Sequence, residues 1–328
     1  MSTRNARRLA GGALAAALSA CAQPVDARHD AARADSLPLA LFEYDRAAPL
    51  DVRDSPVRTV QGVEVRAVSF ASPGGGRATG YLAVPLEASG RLTGIVLLHG
   101  MPGSAGQMIP RAVYLARHGA AVLALDAPFA RRSGGPVTLS PQDSAEQVQL
   151  VVDLQRAVDV LLARDDVDPA RLAYVGGSYG GAMGALFAGV ERRLETYVLM
   201  VADGGLVSHF TGPDDGPGPP GPVSADQWRR WLAAMRPIEP LRFVPRAAPA
   251  SLLFQSGRLD QLVPVADAEA VQRAASEPKT VKWYDSGHAL PPAAAVDQLV
   301  WLHETVGTTP PGPADEAGPS ALAADERG

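Results

Sequence analysis

A single cysteine, Cys21, in 328 residues takes disulfides out of the account, and neither it nor the six histidines falls at metal-ligand spacing. Strong charge of one sign is also missing. The 35 acidic and 30 basic side chains leave a net charge of −5, which argues against nucleic acid as a partner and gives no steering hint for a substrate. The apolar run from Leu9 to Leu18 is too short to span a bilayer as a mature helix. What the chain does have is 46% apolar residues, enough for the core of one large α/β domain or two small ones. Glycine and proline are frequent, and much of the proline lies in two stretches read below as a loop and a tail.

Arg4, Arg7 and Arg8 precede the Leu9 to Leu18 run, and small residues follow it, so residues 1–20 read as a secretory signal. Leu18-Ser19-Ala20-Cys21 resembles a bacterial lipoprotein box. That resemblance implies an exported protein, cleaved before Cys21 and held at a membrane by acyl chains on that residue. Residues 21–45 then form the lipidated cysteine and its tether, rich in Ala, Asp and Arg without clear period.

From residue 46 to 308 the pattern is alternating strand and helix. Val63 to Phe70 and Thr79 to Val84 flank a Ser-Pro-Gly-Gly-Gly turn and predict an antiparallel hairpin. Ile95 to Leu98, Ala121 to Leu125, Leu172 to Val175, Tyr197 to Val201, Ser251 to Phe254 and Val281 to Tyr284 read as further strands, several of them continuous apolar runs. Helices are predicted over about 107–117, 145–163 and 293–306, the second from Val151, Leu154, Val158 and Leu161 on one face. Such alternation means a mostly parallel sheet covered by helices on both faces. Residues 204–248 interrupt the rhythm with a Gly/Pro/Asp loop and a capped helix bearing Trp228 and Trp231, and read as a short cap insertion. The last residues, 309–328, read as a disordered tail.

The most informative segment is Leu172-Ala173-Tyr174-Val175-Gly176-Gly177-Ser178-Tyr179-Gly180-Gly181, followed by a small-residue stretch. Four strand formers lead into a serine flanked by glycine, the signature of a strand, a sharp turn and a helix that together lift a hydroxyl clear of the sheet. In so tight a turn side chains two positions before and after the serine would collide, and Gly176 and Gly180 meet that need. Motif order then calls for an acid and a histidine downstream. His288 stands in Ser286-Gly287-His288 after the last strand, where sites of parallel sheets gather; His209 and His303 read as solvent-facing. Asp260 follows the preceding strand and is the favoured acid, with Asp203 its main rival and Asp285 too close in sequence to His288. The oxyanion donors are expected at the amide of Tyr179 and at the His99-Gly100-Met101 turn, most simply the amide of Met101, since Pro102 has no N–H. His99 reads as a packing residue, and Asp126 to Phe129 with Arg131 and Arg132 as either pocket lining or a structural loop.

Taken together, Asp168-Pro169-Ala170-Arg171-Leu172, Gly177-Ser178-Tyr179-Gly180-Gly181, the His-Gly turn, the Gly-x-x-Asp-x-x-Val-Pro run and Ser-Gly-His resemble the α/β-hydrolases over roughly residues 57–307. Within them the chain is similar to the dienelactone-hydrolase-like and acetyl-esterase-like group. The resemblance implies a cofactor-independent serine hydrolase of small-molecule carboxylic esters, with Ser178, His288 and Asp260 as a triad. Dienelactone hydrolases proper use a cysteine nucleophile, so lactone hydrolysis by that route does not carry over. The glycine-flanked serine is equally similar to prolyl-oligopeptidase-type peptidases, which leaves an exopeptidase or amidase as the second reading. A non-catalytic ligand-binding lipoprotein on the same fold is the third.

Overall fold

The computed structural model describes residues 37–211 and 221–319. The signal segment, Cys21 and the first part of the tether lie outside the described residues, as do 212–220 of the insertion and the last nine residues of the tail.

Nine strands make one sheet: β1 Arg53–Val60, β2 Val63–Ala71, β3 Arg77–Pro85, β4 Leu92–Leu98, β5 Ala120–Leu125, β6 Val167–Gly177, β7 Thr196–Met200, β8 Ser251–Gly257 and β9 Lys279–Tyr284. Their spatial order is β1-β2-β3-β5-β4-β6-β7-β8-β9. The first three strands and the β3–β5 pair run antiparallel, and every later pair is parallel. Helices fill the crossovers: α1 Ile109–Ala116, α2 Pro141–Leu162, α3 Tyr179–Val190, α4 Leu206–Thr211, α5 Ala225–Met235, α6 Pro240–Phe243, α7 Val265–Ala274 and α8 Pro292–Val306.

Every residue of β4 and β5 is buried, as continuous apolar runs covered on both faces must be. Two large apolar clusters lie on opposite faces of this sheet. One joins α2 and α3 through Leu150, Leu154, Leu186 and Phe187, and the other joins α1 and α8 through Val113, Leu115, Leu299 and Leu302. The four periodic residues of α2 are all buried, and the Ser140 side chain caps its first turn by accepting from the Gln142 N–H.

Three features depart from the sequence reading. Strand β1 is an added edge strand whose side chains are almost all exposed, with a bulge between Pro56 and Arg58. Part of the expected tether is docked: Leu39–Phe42 form a turn of 3₁₀ helix, and Phe42 packs edge-on against Phe243 at 5.6 Å. The expected structureless tail is likewise corrected over residues 309–319. There Asp315 is buried and bonds His118 Nε2 at 3.1 Å, while the Thr309 N–H donates to the His118 carbonyl at 2.8 Å.

The insertion covers the carboxyl end of the sheet. Trp228 and Trp231 stack at 4.8 Å, and Trp231 is fully buried with its Nε1–H donating to Asp143 Oδ2 on α2 at 2.8 Å. Leu206, Val207 and Met235 join the two indoles in a separate cluster, against which Met101 and Tyr179 also pack. Of the helices among the described residues, none is long and apolar enough to cross a membrane.

Candidate active site

The sharp turn is present. Ser178 joins β6 to α3 with φ +56°, a conformation uncommon for a side chain of its kind and paid for by its surroundings. The neighbouring glycines are sterically required. A Cβ on Gly180 would lie 2.5 Å from the Leu98 carbonyl oxygen, and one on Gly176 would strike the Gly180 carbonyl. Tyr174, buried in β6, donates its hydroxyl to that Gly180 carbonyl at 2.6 Å and so locks the turn. Burial holds the Tyr174 phenol well above its ordinary pKa, so it remains a donor.

Asp260 and His288 are brought together by adjacent strand ends. The Leu259 N–H donates to the Ser286 carbonyl at 2.9 Å and the Arg258 N–H to that of Tyr284 at 2.8 Å, which ties the acid loop after β8 to the histidine loop after β9. Gly257 allows this approach, because a Cβ there would lie 2.5 Å from the Ser286 oxygen. His288 Nδ1 sits 2.8 Å from Asp260 Oδ2, while Asp260 Oδ1 accepts from the amides of Leu262 at 2.8 Å and Val263 at 3.0 Å. The carboxylate side chain is 1% exposed. Nδ1–H is therefore the donor to Asp260, and Nε2 is left free.

Ser178 and His288 line one cavity of 470 Å³, along with Gly100, Met101 and Arg111. Their side chains do not hydrogen-bond directly; catalytic bonds are often loose before substrate binds. The turn after β4 lies against the serine: a Cβ on Gly100 would be 3.2 Å from Ser178 Cβ and 3.8 Å from its Oγ. The Tyr179 amide opens α3 and thus has no intrahelical acceptor. Sequence reasoning placed Gly100 in the oxyanion turn and Gly257 in the acid loop but not the close approach each permits; the available signal was a glycine at the carboxyl end of a strand.

His99 is a buried wedge under this turn. Its Nδ1 donates to the Gly100 carbonyl at 2.7 Å and its Nε2 accepts from the Ala127 N–H at 3.0 Å. Burial lowers its pKa, in keeping with a neutral ring. Asp126 and the arginines are structural. Asp126 accepts from Ala105 N and Thr79 Oγ1, each at 2.7 Å, Arg131 pairs with buried Asp153 at 2.7 Å, and Arg132 pairs with Glu146.

The rival acids are placed elsewhere. Asp285 is 90% exposed beside Arg258. Asp203 bonds His209, with Nδ1 3.0 Å from Oδ2. His209 is thus not simply solvent-facing: it lines a second cavity of 160 Å³ that also contains Ser178, Tyr179 and Met101. His303 remains on the exposed side of α8, bonded to the Thr308 carbonyl. Among the described residues no group of three or more His, Cys, Asp or Glu is arranged to hold a metal ion.

Residues 94–246 match the sequence model of the alpha/beta hydrolase fold, a span that includes Ser178 but stops short of Asp260 and His288. Among solved structures, an acetyl xylan esterase from Paenibacillus sp. R4 superposes with a TM-score of 0.65 at 21% identity, covering 85% of this chain and 92% of that one. Acetyl xylan esterase 1 from Thermoanaerobacterium sp. JW/SL YS485 gives 0.62 at 16% identity, with the same coverage of 85% and 92%. A puromycin-hydrolyzing peptidase of Mycobacterium tuberculosis gives 0.53 at 20% identity over 80% of this chain and 40% of that one. No curated protein sequence matches significantly. At these identities the structural likeness speaks to architecture, and it agrees with the sequence match and the strand order: the chain has the α/β-hydrolase fold.

Proposed function

We propose that the protein hydrolyses carboxylic esters through an acyl-enzyme on Ser178. The observation that carries this reading is the closed His288–Asp260 pair at 2.8 Å, opening onto the same cavity as a serine raised on a strained turn. Ser178 Oγ attacks the ester carbon as His288 Nε2 takes its proton. Asp260 holds the ring in the required tautomer and offsets the imidazolium charge. The negative charge that develops on the carbonyl oxygen is received by the amides of Tyr179 and Met101, each such donor contributing about 100-fold to 1000-fold in rate. His288 returns the proton to the departing alcohol. Water, activated by the same ring, then attacks the acyl-enzyme, and Ser178 is regenerated.

Ester rather than amide substrate is supported by the acetyl xylan esterases among the structural neighbours. Paired assays with p-nitrophenyl acetate and aminoacyl-p-nitroanilides test the choice: we expect turnover of the acetate, and a strong preference for the anilides would replace this reading with a peptidase. The N-terminal sequence adds that the enzyme works at a membrane, exported and acylated on Cys21. A Cys21→Ser variant should lose palmitate incorporation and leave the membrane fraction; unchanged membrane association would remove the anchor.

A further inference from the structure

Among the described residues, Arg111 is the one fully charged side chain in the wall of the 470 Å³ cavity that holds Ser178 and His288. It stands on α1 and donates one N–H to Gln298 Oε1 on α8 at 2.9 Å. Several other inward-reaching arginines have carboxylates, Arg131 with Asp153, Arg132 with Glu146, and Arg193 with Glu191 and Asp159, and Arg171, which has none, is held by four oxygens of the protein. Among the described residues no carboxylate pairs with Arg111, and no acid offsets the burial that lowers its pKa. None of its nitrogens is among the sealed, unpartnered polar atoms of the described residues, so its free N–H groups open onto the cavity it lines. A guanidinium stays charged in a protein, and a desolvated charge without a counter-ion is costly. The counter-ion is therefore to be sought in what enters the cavity.

The two cavities that meet at Ser178 divide the substrate. His288 lines the larger and is absent from the wall of the smaller, which is mostly apolar, with Ala182, Leu206, Phe210 and Val263. The imidazole must reach the departing oxygen to protonate it, so the alcohol lies in the larger cavity and a short acyl group in the smaller. Among the described residues no lysine or second arginine joins Arg111 in that wall, which matches one unit of negative charge.

We propose that Arg111 binds a carboxylate on the alcohol moiety, making the preferred substrates esters whose alcohol part is a monoanion. The side of the scissile bond rests on the esterase reading above; the anion site itself does not.

Two measurements test it. With wild-type protein, kcat/KM for 4-acetoxybenzoate should exceed that for 4-acetoxybenzamide by about ten-fold to a hundred-fold, mostly in KM, as a charge-assisted bond would give. Arg111→Gln should bring the ratio close to one and Arg111→Lys should keep part of it. Comparison with the variant's own ratio cancels the difference in leaving group. A ratio that Arg111→Gln leaves unchanged, with both esters still hydrolysed, overturns the anion site and spares the esterase reading. Calorimetry on Ser178→Ala protein needs no turnover and no change at Arg111. 4-Hydroxybenzoate should bind at least about ten-fold more tightly than 4-hydroxybenzamide. Equal binding overturns the proposal, and tighter binding of 4-hydroxyphenyl phosphate overturns the assignment to a monoanion. Preferential benzoate binding by a protein that hydrolyses neither ester would keep the anion site and discard the esterase reading.

Discussion

Two histidines of this chain hold an aspartate through Nδ1, and both line a cavity that contains Ser178. The pairs are nearly equal in length, 2.8 Å for His288–Asp260 and 3.0 Å for His209–Asp203, yet their surroundings differ. Asp260 is sealed and receives two backbone amides besides the ring. Its loop is bonded to the loop that carries His288, so both ends of the pair sit on rigid strand termini. His209 is 40% exposed on the short helix α4. Around it stand Asp203, Asp267 and, next to Asp203, the buried carboxyl of Glu239, whose pKa burial pushes up to about 8. The hydrogen bond to Asp203 raises the His209 pKa, which keeps the ring protonated over more of the neutral range. A short His–Asp contact is therefore not enough to mark a base; the sealed acid and the bonded loops set the His288 pair apart.

This comparison can be broken by experiment. The largest effect should come from Ser178→Ala, which removes the group both cavities share: kcat on p-nitrophenyl acetate should fall by about a million-fold, on the precedent of other triads. Next, Asp260→Asn should cost about 10⁴ in kcat through loss of the correct tautomer, whereas Asp203→Asn should cost less than about ten-fold. Equal losses in the two variants would erase the distinction between the pairs. Gly100→Ala should lower kcat by about 10-fold to 100-fold, because its Cβ would press on Ser178 Cβ from 3.2 Å and shift the oxyanion turn. The smallest effect concerns stability. A raised folded-state pKa means that the contribution of His209 is fully present below its unfolded value and is lost as pH rises through the folded one. His209→Ala should thus lower Tm at pH 5.5 and leave it nearly unchanged at pH 9, and a loss that grows with pH would reverse the assignment.

Turn chemistry and chain order made much of the site legible in advance. Gly176 and Gly180 announce the elbow because only glycine fits beside the Leu98 and Gly180 carbonyls, and Asp260 and His288 stand where two successive strands end. The buried strands were legible as apolar runs. Strand β1 was not, because an edge strand exposed on both faces carries no hydrophobic alternation. The docked residues 309–319 depend on a contact between Asp315 and His118, far apart in sequence, which local composition does not encode. Arg111 and His209 were invisible for the same reason. An arginine in a helix or a histidine before a Pro/Gly loop gains meaning only when the cavity it faces and the acids around it are known.

The central claim is that Ser178 is activated by His288 and not by His209. Intact-mass and peptide analysis after exposure to a fluorophosphonate tests it directly, on wild-type protein and on His288→Ala and His209→Ala. The account predicts one adduct on Ser178 in wild type and in His209→Ala, and almost none in His288→Ala. Labelling that survives loss of His288, or that vanishes with His209, would contradict it.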